Sequence, residues 1–252
     1  MSPIGISWIV FACVFGGALL GILLRGFLPE HYLDAESKNV VNLGMALIAT
    51  LSALVLGLLI ASAKGSYAAQ TGEVISMSAD IIMLDRILAR YGPEASAARE
   101  VLRRTAVALD RSWSEGTSRS ARLDSPEVRS GATSFYEEIQ ELAPHNDFER
   151  LLQSQALQTA YNLGQTRSLL LQQAGSSVPV PFLVVMVFWL TVIFSSFGLF
   201  APRNPAVIAT LIVCALSVSG AIYLILELDN PFAGLMRISA APLHNAIAQI
   251  TQ

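Results

Sequence analysis

The 252-residue chain is 53% hydrophobic and only 14% charged, with a mean hydropathy of +0.54. A soluble domain carries roughly 25% charged residues, so this composition excludes an ordinary water-soluble globule. The net charge of −3 leaves no basic footprint for nucleic acid. Cys13 and Cys214 both lie inside apolar runs and give no disulfide framework.

The charge deficit is uneven along the chain. No Asp, Glu, Lys or Arg occurs in Ser7–Leu24, Leu43–Ala63, Ser168–Pro202 or Asn204–Leu226. About 20 apolar residues cross the hydrocarbon core of a bilayer, and each of these runs supplies them. The expectation is four transmembrane helices at about 8–27, 44–63, 182–200 and 206–226. The N-terminal "MSPIGIS" has no basic residue and "LLRGFLPEHY" no small-x-small cleavage site, so the first helix is expected to be retained. Its Gly17-Ala-Leu-Leu-Gly21 pattern lets helices approach closely, and intramolecular packing is the expected use. Arg25, at the end of that span, is expected to snorkel to the headgroups.

The first two spans are joined by "LPEHYLDAESKNVVN", residues 28–42, and the last two by "APRNPA". Between the pairs, a polar region over residues 64–178 holds every Lys and Arg except Arg25, Lys38, Arg203 and Arg237. No proline interrupts Gly44–Gly92, so the second span is expected to continue as one long helix. Val74, Met77, Ile81, Leu84, Leu88 and Tyr91 alternate at spacings of three and four, which is a packing stripe; Ile75, Ile82 and Ala89 are expected to widen it. Gly92-Pro93 ends that helix, and Pro93 opens the next, with Ala98, Val101, Leu102, Thr105, Leu109 and Trp113 on one side.

"SEGTSRSARLDS", residues 114–125, is expected to be a loop. Ser125-Pro126-Glu127 then reads as a cap, a first-turn proline and a well-placed acid. Its helix should bury Val128, Phe135, Ile139 and Leu142. Asn146 and Glu149 have capping-box spacing and start a further helix through Gln173, after which "GSSVPVP" resets the backbone. The fold class expected is all-α: a transmembrane hairpin over 1–63, a cytosolic helical domain over 64–178, a second hairpin over 179–227 and an amphipathic tail over 228–252.

Two spans separate the N-terminus, the polar region and the tail from one another, so all three share a side. A multi-pass inner-membrane protein with these parts in the cytoplasm is the expected arrangement. At the end of the fourth span, Glu227 and Asp229 are expected where the helix reaches water, with Asn230-Pro231 recapping the chain. A tail helix carrying Phe232, Leu235, Met236, Leu243, Ile247 and Ile250 would follow.

Catalytic chemistry is not visible. His31, His145 and His244 are far apart, with no His-Glu-x-x-His spacing, no phosphate-binding glycine loop and no Gly-x-Ser-x-Gly elbow. Neither an enzyme nor a cofactor is expected. No charge lies deep in any span, which argues against a proton-coupled carrier but not against a pore gated by an apolar constriction. Ser52, Leu56, Leu59 and Ile60 can share one face of the second span as a pore neck, with Lys64 at the mouth. The competing reading of those residues is a helix face turned to lipid or to its own bundle.

"ALIATLSALVLGLLIASAKGSY" (46–67), "VPVPFLVVMVFWLTVIFSSFGLF" (178–200) and "ELDNPFAGLMRISAAPLHNAIA" (227–248) together resemble the bacterial bestrophin-like membrane family. The tail motif that carries the resemblance is Glu227, Asp229, Asn230, Pro231, Phe232 and Gly234. The more distant similarity to true bestrophins implies a pentameric, mainly anion-conducting channel with an apolar neck on the second span. Its partners would then be the bilayer, further copies of the chain and inorganic ions. Leu56, Leu59 and Ile60 stand in place of the neck aromatics. "AGLMRIS" lacks the acidic run of the calcium clasp, so calcium gating is not implied. The alternative is a non-conducting membrane scaffold whose stripe Val74–Tyr91 recruits a protein partner.

Overall fold

A computed structural model describes residues 2–27, 35–115, 123–172, 180–202, 204–229 and 236–251. The described residues form helices and contain no strand. In chain order these are α1 (Pro3–Arg25), α2 (Ala35–Tyr91), α3 (Ser96–Glu115), α4 (Pro126–Gln140), α5 (Asp147–Gln172), α6 (Val180–Phe200), α7 (Pro205–Asp229) and α8 (Ala241–Ile250). α1, α2, α6 and α7 are each long and apolar enough to cross a membrane.

The helix boundaries have local causes. Ser2 caps α1, its hydroxyl accepting from the Gly5 N–H, and Pro3 opens the first turn. α2 is a single helix of 57 residues. It begins at Ala35, so the second half of the expected 28–42 connection is helical, while residues 28–34 lie outside the described ones. Gly92 stops α2 at φ 123°, a conformation that costs a residue with a Cβ. A short 3₁₀ turn, Pro93–Ala95, then leads into α3. Of the expected loop at 114–125, residues 116–122 fall outside the description, as do residues 173–179 before α6.

Ser125 accepts from the Val128 N–H at 3.3 Å and caps α4, as its sequence predicts. The α5 box is reciprocal. Glu149 N–H donates to Asn146 Oδ1 at 2.9 Å, and the Glu149 carboxylate accepts from Asn146 Nδ2 and the His145 N–H, each at 2.7 Å.

Two compact units divide the chain: residues 1–66 with 176–230, and residues 67–175 with 231–252. In the first unit, Val10, Val14 and Ala18 of α1 pack with Phe194 of α6 and Leu211, Ala215 and Ile222 of α7. Ser219 of α7 donates to the Ser7 carbonyl at 2.6 Å inside this core, so the buried hydroxyl is satisfied. In the second unit, Leu84, Leu88 and Tyr91 of α2 pack with Leu102, Phe135, Ile139 and Leu152. Val74, Met77 and Ile81 pack with Leu109, Trp113, Leu243 and Ile250.

The expected stripe on α2 is therefore core along its whole length. Its widening differs from expectation. Ile75 and Ala89 are exposed, and Ser78 and Ile87 are buried in their stead. The apolar residues outnumber the buried face, and helix packing in this unit selects the flank that carries Ile87.

Candidate functional site

The second span was the expected place for a conducting path, and α2 is the least covered of the four candidate spans. Only 11% of its most apolar stretch is buried, against 28%, 33% and 28% for α1, α6 and α7. An α-helix turns 100° per residue, and that period sorts α2 into three faces.

The first face is turned into the unit. Leu59 and Ala63 pack with Met186 of α6 and Ile225 of α7, and Val55 and Leu56 flank them. Ser52 is on the same side, 4% exposed, and its hydroxyl has no hydrogen-bond partner among the described residues. The second face is a row of bulky aliphatics: Val40, Leu43, Leu47, Leu51, Leu54 and Leu58, all exposed. The third carries Thr50, Ala53, Gly57, Ile60 and Lys64, also at alternating spacings of three and four and also exposed. On that face Ile60 is the only bulky apolar residue and Lys64 the only charge.

The residues expected to form a neck are thus distributed. Ser52 and Leu59 are buried within their own unit, Leu56 is half-buried, and Ile60 and Lys64 are exposed. The small-residue face was not recognised from sequence. Its signal was the run Thr50, Ala53, Gly57, which stands out only once the buried side of α2 is known.

At the end of α7 the structure corrects one expectation. Glu227 and Asp229 were expected to meet water, yet they are 2% and 7% exposed, and neither is without a partner. The helix runs on through Asp229, so both carboxylates sit in its last turn. Carboxylates there oppose the helix dipole, so burial at this place requires compensating polar contacts. Asn230, Pro231, Phe232 and Gly234 lie outside the described residues.

In the second unit, Arg167 of α5 donates from Nε to the Leu123 carbonyl at 2.6 Å and from Nη2 to Asp124 Oδ1 at 2.7 Å. Hydrogen bonding by Arg129, 2.5 Å away, then the charges of Arg129 and Arg167, hold the Asp124 carboxyl below its ordinary range against the opposing effect of burial. Burial pushes the Arg167 guanidinium down. These contacts tie the start of α4 to α5. No group of three or more His, Cys, Asp or Glu able to hold a metal occurs among the described residues.

The Bestrophin-like domain family matches residues 12–243. The chain belongs to the bestrophin-like family. No curated protein matches it. Among solved structures, it is similar to single-substitution variants of a bacterial bestrophin homologue from Klebsiella pneumoniae. One has a TM-score of 0.69 at 12% identity over 99% of this chain and 97% of that one. Two others have TM-scores of 0.67 and 0.64 at 12% and 13% identity, covering 96% and 94% of this chain and 97% of each of theirs. At these identities the likeness is one of fold. This bestrophin-like chain shares that fold over nearly its whole length.

Proposed function

We propose that this bestrophin-like protein is a homo-oligomeric ion channel that conducts passively, with a bias toward anions, along α2. The observation that carries the reading is the double exposure of α2. A span that is charge-free over residues 43–63 and uncovered on two faces has more apolar surface than its own unit can cover. In this reading the Val40–Leu58 row faces lipid or the neighbouring copy, and the Thr50–Lys64 face turns to a shared axis. Small residues leave room for a hydrated ion, and one bulky apolar residue per copy is enough for a constriction that gates by dewetting.

The neck is proposed at the level of Leu56, Leu59 and Ile60, with Ile60 meeting the path and Ser52, Leu56 and Leu59 backing it from within the subunit. Lys64, one turn further on, places a ring of positive charge at the mouth and favours anions. A pentamer is the assembly that the family implies. We place the protein in the bacterial inner membrane, with the N-terminus, the helical domain over 64–178 and the tail in the cytoplasm. No catalytic or cofactor chemistry enters this mechanism.

The scaffold alternative rested on the stripe Val74–Tyr91 being available to a partner. Ile81 is 3% exposed and packs in the core of the second unit, so that stripe has no free face to offer.

The test is flux into liposomes containing the purified protein, with chloride and sodium gradients imposed separately. Chloride flux above sodium flux is expected. Ile60→Ala is expected to raise conductance several-fold, because an exposed side chain can be shortened without opening a cavity in the core, and Lys64→Gln is expected to reduce the chloride preference. Silence under both gradients from an intact oligomer would rule the channel out, and flux indifferent to Ile60 would remove the neck.

A further inference from the structure

A groove in the membrane unit has features that conduction does not use. Leu24 of α1, Val41 and Met45 of α2, and Val192 and Leu199 of α6 line an open groove of about 240 Å³, with Gly21, Ser195 and Ser196 beside them. From Val192 to Leu199 its wall runs about 10 Å along the helix axis, at 1.5 Å per residue. That is room for a length of hydrocarbon chain.

Cations stand at one end of it. Lys38 is three residues before Val41 on α2, and its ammonium lies 5.9 Å from the centre of the Phe200 ring at the end of α6. Arg25, the last residue of α1, lies one turn beyond Gly21 and donates from Nη1 to the carbonyl of Ala201, just past α6. These two contacts bring the end of α1, the beginning of α2 and the end of α6 to a single rim. A guanidinium has five N–H donors, and the bond to Ala201 uses one nitrogen. No carboxylate pairs with Arg25 or Lys38 among the described residues.

We propose that this rim and groove form a binding site for an anionic glycerophospholipid, with the phosphate held by Arg25 and Lys38 and one acyl chain lying along Val41, Met45 and Val192. Charge complementarity selects the headgroup: the fork of an arginine suits phosphate oxygens, and a lysine adds a point charge. The apolar wall selects the chain, since a soluble phosphate would leave the groove uncovered. Basic pockets between spans hold anionic headgroups on the same physical grounds. The site requires only that the four helices span a bilayer, and it stands whether or not the protein conducts.

Native mass spectrometry of the full chain in detergent tests this, with phosphatidylglycerol and phosphatidylcholine titrated separately. The wild type should bind phosphatidylglycerol more tightly. A cation near a headgroup contributes about fivefold to binding, so Lys38→Gln should weaken phosphatidylglycerol about fivefold and Arg25→Ala with Lys38→Gln about thirtyfold. Phosphatidylcholine has the same phosphate with its charge offset by choline, so its binding should weaken less than that of phosphatidylglycerol in both variants. Val41→Trp, which fills the groove and keeps both cations, should weaken both lipids. Lys38→Gln leaves the Arg25 bond to Ala201 intact, so its result does not depend on a variant that may lose its fold. Equal binding of the two lipids by the wild type, or undiminished phosphatidylglycerol binding by Lys38→Gln, would overturn the proposal. Displacement of phosphatidylglycerol by millimolar inorganic phosphate would also overturn it, assigning the rim to a free anion.

Discussion

Asp124 shows how one carboxylate ties a helix start to its neighbours. It accepts from Arg129, one turn into α4, and from Arg167 on α5, while the Leu123 carbonyl beside it takes the Arg167 Nε–H. Its carboxyl is held below the ordinary value, first by the hydrogen bond from Arg129. A carboxylate whose folded pKa is depressed contributes stability above its unfolded value of about 3.9, and that stability is lost as pH falls through the folded value. Asp124→Asn should therefore lower the thermal midpoint of the full chain at pH 7, with the gap to the wild type closing below about pH 4. Circular-dichroism melts between pH 3 and 7 read this directly. A gap of constant size across that range would mean that the ionised form is not what matters. Asp80 has the opposite sign: burial raises its carboxyl, so its ionisation works against the fold as pH rises.

At the scale of elements, the approach of α1 to α6 depends on glycines. A Cβ at Gly21 would stand 2.0 Å from the Ser195 carbonyl oxygen, and one at Gly198 the same distance from the Ala18 carbonyl oxygen. Backbone cannot swing aside as a side chain can, so the helices would have to separate. Gly21→Ala and Gly198→Ala should each cost about 1–3 kcal/mol, the usual range for overpacking. Gly16 is the control: a Cβ there meets nothing, and Gly16→Ala should be neutral or stabilise by up to about 1 kcal/mol through helix propensity. Thermal unfolding in detergent separates the cases, and equal costs at Gly16 and Gly21 would remove the close-approach argument. The Gly17–Gly21 pattern was legible in sequence because small residues four apart on an apolar helix have few other uses. The caps at Ser125 and Asn146 were legible for a similar reason, since their signals lie within four residues of chain. The inward side of α2 within the membrane was not. Leucines occupy both its buried and its exposed faces, and hydropathy cannot tell lipid from protein as a neighbour. That is why only packing separates Leu59, which is buried, from Ile60, which is adjacent, chemically alike and exposed.

At the scale of the molecule, the chain leaves the second unit at residue 175, builds two spans of the first, and returns at residue 231 to finish the second. The returning segment is structural. Ile238, Leu243 and Ile250 are buried in one cluster with Met77, Leu109 and Trp113. Arg103 Nε donates to the Ile250 carbonyl at 2.9 Å, and His244 Nδ1 lies 2.8 Å from Asp110 Oδ1. The sequence indicated an amphipathic tail, but its period could not say whether the apolar side met lipid or protein. Leu243, Ala246 and Ile250, spaced three and four apart, suit either solvent. Burial against α3 decides for protein, and this has a measurable consequence. Leu243→Ala should destabilise the second unit by about 2–5 kcal/mol, and truncation after Met236 should uncover Trp113. In a Trp8→Phe, Trp189→Phe background the remaining indole reports that change: its emission should shift to the red on truncation and less so in Leu243→Ala. An unshifted spectrum in the truncated chain would mean that Trp113 is covered without the tail, and that the return of the chain to this unit contributes little to its core.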